Sequence, residues 1–162
     1  MLREFEKGVL GRINFVDRYI NATNEFTRNG LTNYELTSKD IIDSLARGTL
    51  NFKHKSGSYF ADVDRNEYKF RLLFDIKGGS ILTYIWVLQA DKFIDNGLSH
   101  FAYLLNHFDI DGKVINQNFG LNSKEEFLSY VTKMISIFND FINEFMNCDA
   151  LGLGGKAAEQ ST

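Results

Sequence analysis

The sequence predicts an α+β fold, in which a central antiparallel sheet of four to five strands, a meander, is packed by N-terminal and C-terminal helices. Three observations carry this. Residues Tyr68–Ile76 alternate, with Tyr68, Phe70, Leu72, Phe74 and Ile76 on one face and Lys69, Arg71 and Asp75 on the other, Leu73 being the exception. Residues Ile81–Leu88 are apolar on both faces, Ile81, Ile85 and Val87 against Leu82, Tyr84, Trp86 and Leu88. Such a strand is expected to be internal and covered on both sides, with Trp86 buried. Third, apolar residues keep a helical period from Phe127 to Met146.

Taken in order, Leu2, Phe5, Val9, Ile13, Val16 and Ile20 place one amphipathic helix over 2–26, with Asn29-Gly30 as its stop. Gly8 and Gly11 within it mark either a close backbone approach or a fray point. A short helix over 38–47 follows, capped by Thr37 or Ser38, with Ile41, Ile42 and Leu45 inward and Gly48 at its end. Thr49–Lys55 and Tyr59–Asp64 alternate as strands, separated by a turn at Ser56-Gly57-Ser58. A second turn at Arg65-Asn66-Glu67 leads into the Tyr68 strand, and Gly78-Gly79 joins that strand to the next with positive φ. Leu98, Phe101, Leu104, Leu105 and Phe108 make a helix face, and Asp111-Gly112 a turn. Lys113–Leu121 reads as a short strand or an irregular loop. Ser123-Lys-Glu-Glu126 is a capping box that opens the long helix over 123–147. Residues 1–148 form one domain. Residues 149–162, rich in Gly and small side chains, form a flexible tail.

The chain has 162 residues, 15 Phe, one Cys and no Pro. An average composition would include about eight prolines. Its wealth of Asn, Ile, Phe, Lys and Asp suits an AT-rich genome, such as that of a bacterium or its phage. The net charge is −3 with both signs interspersed, so no basic stripe marks general nucleic-acid binding. No apolar run reaches membrane-spanning length and no signal-peptide core is present, so no membrane association is expected and the protein reads as cytoplasmic. The single Cys148 excludes an intramolecular disulfide.

The residues that carry chemistry in other proteins are scattered here. His100 and His107 lie two helical turns apart, about 10 Å along an axis, too far to share one ion. His54 stands alone. Asp109-Ile-Asp111-Gly112 begins like a calcium loop, but Lys113, Val114 and Ile115 break the ligand pattern and no Glu closes it. Gly152-Leu-Gly154-Gly155-Lys156 fails as a phosphate loop, with Ala150 where Gly is needed and Ala157 where Ser or Thr is needed. Asp62, Asp64, Glu67 and Asp75 read as cross-strand partners of Lys53, Lys55, Lys69 and Arg71 on a wet sheet face. Cys148, at the negative end of a helix, is a poor nucleophile. Tyr84 and Trp86 would suit a base-stacking platform, but a helix packed on that face is the simpler reading. No catalytic, metal-binding or cofactor-binding residue is assigned, and no cofactor is expected.

What remains is surface. The apolar arc of the long helix is wider than the roughly 100° that one sheet needs. It points to a non-enzymatic protein-binding module of the kind represented by toxin-neutralising immunity proteins or secretion chaperones. The partner would be another protein or a second copy, met at the arc's edges by Leu128, Ile137, Phe145 and Met146. The bland alternative is that helix 2–26 covers the excess. The order of elements loosely resembles the secretion-chaperone class, which would require Val114–Asn118 and Phe127–Met134 to form a hairpin. Two other functions are open. One is a small-molecule binder or enzyme with a pocket between the sheet and helix 98–108, near Tyr84, Tyr103, His100 and His107. The other is a structural subunit of a larger assembly such as a phage particle.

Overall fold

The computed structural model describes residues 3–26, 34–77, 80–90, 92–93, 100–113 and 119–152. Its helices are α1 (Glu4–Arg12), α2 (Phe15–Asn24), α3 (Ser38–Leu45), α4 (Phe101–Leu104) and α5 (Lys124–Ala150), with one 3-10 turn at Leu105–His107. The strands are β1 (Lys53–Lys55), β2 (Ser58–Arg65), β3 (Tyr68–Lys77), β4 (Ser80–Gln89) and β5 (Lys92–Phe93). They form one antiparallel sheet in the order β1-β2-β3-β4-β5, a meander whose outer strands are short. The α+β fold is the one expected from the sequence.

The register explains which residues lie inside. Ala61 pairs with Leu72 and Leu72 with Ile85, while Val63, Phe70 and Val87 form the neighbouring row. These rows face the helices, and Phe70, Leu72 and Ile85 are buried. The turns are tight because residues that tolerate positive φ stand where the chain reverses: Ser56 and Gly57 between β1 and β2, Asn66 between β2 and β3. The Gly78-Gly79 turn lies outside the described residues, as do Leu98, Asn29-Gly30 and 114–118.

The helix over 2–26 is two helices. Asn14 adopts the left-handed conformation (φ 54°, ψ 43°), and its N–H donates to the Gly11 carbonyl, closing α1. A short polar side chain lets Asn accept this geometry at little cost. A β carbon built on Gly11 would meet nothing within 4 Å, so the glycine marks the helix end and no close backbone approach. The break re-aims the chain. Phe15 and Tyr19 become buried, and their rings lie 5.3 and 5.6 Å from Phe101. Asn14→Gly is therefore expected to be nearly neutral, whereas Asn14→Val should cost about 1–2 kcal/mol in thermal unfolding.

Two further expectations are corrected. Helix 98–108 is a single α-helical turn followed by a 3-10 turn, with His100 still extended at its start. In α3, capped by Thr37 through a reciprocal box with Asp40, Ile41 and Leu45 are buried but Ile42 is 53% exposed. Ile42 lies about 100° round the helix from Ile41, off the face that packs. Residues 127–134 are helical, in keeping with the helix expected over 123–147 and not with the hairpin that the secretion-chaperone order would require.

Helix α5 is the spine of the molecule. Ser123 caps it by accepting from the Glu126 N–H (3.1 Å), while the Glu126 carboxylate accepts from the Asn122 N–H (2.7 Å). Phe145 meets Phe70 and Tyr68 of the sheet edge-on, and meets Phe5 of α1 on another side. Helices α1, α2 and α3 all pack on α5, which itself contacts β3. Ion pairs seam these contacts: Arg18 to Asp140 (2.7 Å), Arg12 to Glu144, Lys133 to Glu25 and Lys124 to Asp43 (3.4 Å).

Candidate functional site

Two surfaces of the described structure combine apolar and polar side chains in a way that permits binding. The first is the sheet face turned away from the helices. Successive register pairs place Lys53, Phe60, Leu73, Tyr84 and His100 in one row across it. Asp62, Arg71 and Trp86 form the next row. Arg71 grips Asp62 with two hydrogen bonds (2.7 and 2.8 Å) and lies 4.4 Å over the Phe60 ring. That bidentate pair holds the guanidinium flat on the sheet. The Tyr84 and Trp86 rings stack at 6.2 Å, and His100 lies 5.3 Å from Tyr84.

Most residues of this face are half-buried, Leu88 being buried, whereas most of the helix face is buried, as the alternation along β3 and β4 shows. Trp86 itself is half-buried, which corrects the expectation of a buried tryptophan. The helices' large rings meet the opposite face, at Phe70, Phe74 and Thr83. A strand with apolar residues on both sides has thus received full cover on one side only.

The second surface is a cleft of about 410 Å³ between α3, the connection at 46–52 and β1. Leu45, Leu50, Phe52 and Tyr59 supply its apolar lining, and Ile42 lies among the lining residues. The His54 ring lies flat on Tyr59 at 4.4 Å. A smaller cleft of about 290 Å³, with Glu35, Ser38 and Ile76, shares His54 and Tyr59.

The remaining candidates resolve into structural roles. Tyr103 and His107 form a ring pair of their own (5.9 Å), separate from Tyr84 and His100. Burial lowers the His100 pKa. The Asp109 carboxylate accepts from the Asp111 N–H (3.1 Å), an Asx turn that Gly112 completes at φ 75°. Among the described residues no group of three or more His, Cys, Asp or Glu side chains is placed to hold a metal ion. Asp62 pairs with Arg71 across strands, as expected of a wet face, whereas Asp75 pairs with Lys77 of its own strand. Cys148 is buried in the last turns of α5. Burial and a hydrogen bond to Glu144 push its thiol up against the opposing Arg12, whose Nη2 lies 2.8 Å from Sγ. Of the four residues placed at a partner surface on α5, Ile137 and Phe145 are 2% and 1% exposed. Leu128 and Met146 are half-buried. Residues 153–162, and with them most of the glycine-rich tail, lie outside the described residues.

Sequence reading overlooked the cleft and one buried network. The Thr83 and Tyr130 hydroxyls lie 2.6 Å apart inside the core, and Tyr130 also hydrogen-bonds Tyr19. Thr83 is the one buried polar residue of β4, and a Thr flanked by Ile81 and Ile85 on the apolar face was the available signal. Among the described residues no helix is long and apolar enough to cross a membrane.

These features define a class: an α+β module with helices on one face of an antiparallel sheet and a mixed aromatic and charged array on the other. No family model matches the chain, nor does any curated protein or solved structure.

Proposed function

We propose that the protein is a non-enzymatic binding module that engages another protein through the outward face of its sheet. The observation that supports this is the row Phe60, Leu73, Tyr84 with Arg71 beside it. Aromatic residues and Arg are the types enriched where protein interfaces concentrate their binding energy. A wet sheet face ordinarily alternates to polar residues, and here β4 places Leu82 and Tyr84 on it. Toxin neutralisation and chaperoning are both functions that such a face would serve. The α5 residues Leu128 and Met146 lie on the helix side of the sheet, away from this contact, and Ile137 and Phe145 fill the core.

Site-specific photo-crosslinking tests the reading. A photoreactive side chain at Leu82 or Tyr84 in the native cell should capture one protein in near-stoichiometric yield, and the same group at Lys7 on α1 should not. Equal or absent capture at these positions would remove the outward face from consideration. A self-crosslink would make the partner a second copy, and a ladder of such products would favour a subunit of a larger assembly.

A further inference from the structure

We propose that the cleft between α3 and β1 binds a small organic acid, a molecule with an apolar body and one carboxylate. This goes beyond protein binding at the outward sheet face and does not depend on it. The volume of about 410 Å³ falls within the range of small-molecule sites. Its apolar lining is held in place from behind. Leu45 and Tyr59 are buried, and the Phe52 ring is stacked 5.7 Å from the buried Phe74. The His54 ring is fixed flat against Tyr59. A preformed apolar lining spares the ordering cost that weakens binding.

The polar lining selects the charge of the ligand. It consists of Thr49, Asn51, Lys53 and His54, and no Asp or Glu occurs among the described lining residues. All four offer hydrogen-bond donors, and one is a cation at neutral pH. Lys53 pairs with Phe60 on the far side of the sheet, but β1 is the outermost strand. Its four-carbon stem can swing round that exposed strand to meet a carboxylate at the mouth. An apolar body against Leu50, Phe52 and Tyr59, with its carboxylate among these donors, satisfies both parts of the site.

The test is a titration of the full chain with 4-phenylbutyrate, followed by amide chemical shifts. Saturable shifts confined to residues around 42–59 are expected. Ala46→Trp alters an exposed residue of the lining, so the fold should survive while the cleft is filled and the shifts vanish. Lys53→Gln should weaken binding about two- to fivefold, the worth of a solvent-exposed ion pair. 4-Phenylbutyramide should bind less tightly than the acid by a similar factor. Absence of saturation, or shifts unchanged by Ala46→Trp, would overturn the site. Equal binding of acid and amide would overturn the assignment of an acid. Neither result bears on crosslinking at Leu82 or Tyr84.

Discussion

Phe145→Ala is expected to cost about 3–5 kcal/mol, the range for truncating a large buried ring. The side chain is 1% exposed and joins α5 to both the sheet and α1. Its ring lies 5.1 Å from Tyr68 and 5.2 Å from Phe70 of the sheet, both edge-on, and 5.0 Å from Phe5 of α1. Phe141 is a fourth neighbour at 5.8 Å. The truncation would remove all four ring contacts and leave a cavity among them, so the loss includes a cavity term. Trp86→Ala, by contrast, should cost only about 1–3 kcal/mol, because half-buried apolar area contributes in proportion to what is removed from water. Urea unfolding of the two variants should rank them in that order. The reverse order would show that the outward sheet face, and with it the proposed docking surface, is part of the core.

Tyr130→Phe should cost about 1–3 kcal/mol without changing the shape of the core. The lost hydroxyl leaves both Thr83 and Tyr19 short of a partner in a fully buried place. Adding Thr83→Val removes one of the stranded groups, so the double variant should be less destabilised than the sum of the single ones. The same network predicts an alkaline limit. Burial raises the Tyr130 phenol well above its ordinary 10.0 and raises Tyr19 as well. Burial, then the neighbouring Asp149, pushes Tyr68 up to about 12. The unfolded chain ionises these phenols near the ordinary value, so above it the unfolded state gives up protons that the folded state keeps. Stability is therefore complete below about pH 10 and falls as pH rises towards the folded values. Tyr130→Phe should make that fall shallower by one proton's contribution, which unfolding midpoints measured between about pH 8 and 11.5 would show.

The strands and α5 were legible because each carries its own signal. The period of two in Tyr68–Ile76 placed Phe70, Leu72 and Phe74 on one buried face, and the structure keeps every one of them there. The helical period from Phe127 to Met146, with Ser123 and Glu126 before it, located α5 to within a few residues. The cleft beside α3 was not legible, because Ile42 of α3, Phe52 of the 46–52 connection and Tyr59 of β2 meet only after the sheet edge docks beside α3. The break at Asn14 was equally hidden. An Asn in a helical pattern costs little, and only the burial of Phe15 and Tyr19 against Phe101 makes the left-handed turn worth adopting.

Local pattern thus determined which residues alternate, which recur every three or four, and hence the α+β class with its meander. Tertiary structure decided what covers each apolar face. The wide arc of α5 was ambiguous in one dimension, since surplus apolar surface has the same spacing whether a partner or the chain itself covers it. Packing assigned most of that arc to α1, α2, α3 and the sheet. It left the second apolar face of β4, with Tyr84 and Trp86, only half-covered, because the helices that might have lain there were already committed to the other side. Burial is a property of neighbours in space, and a single chain's spacing records only its own half of each contact.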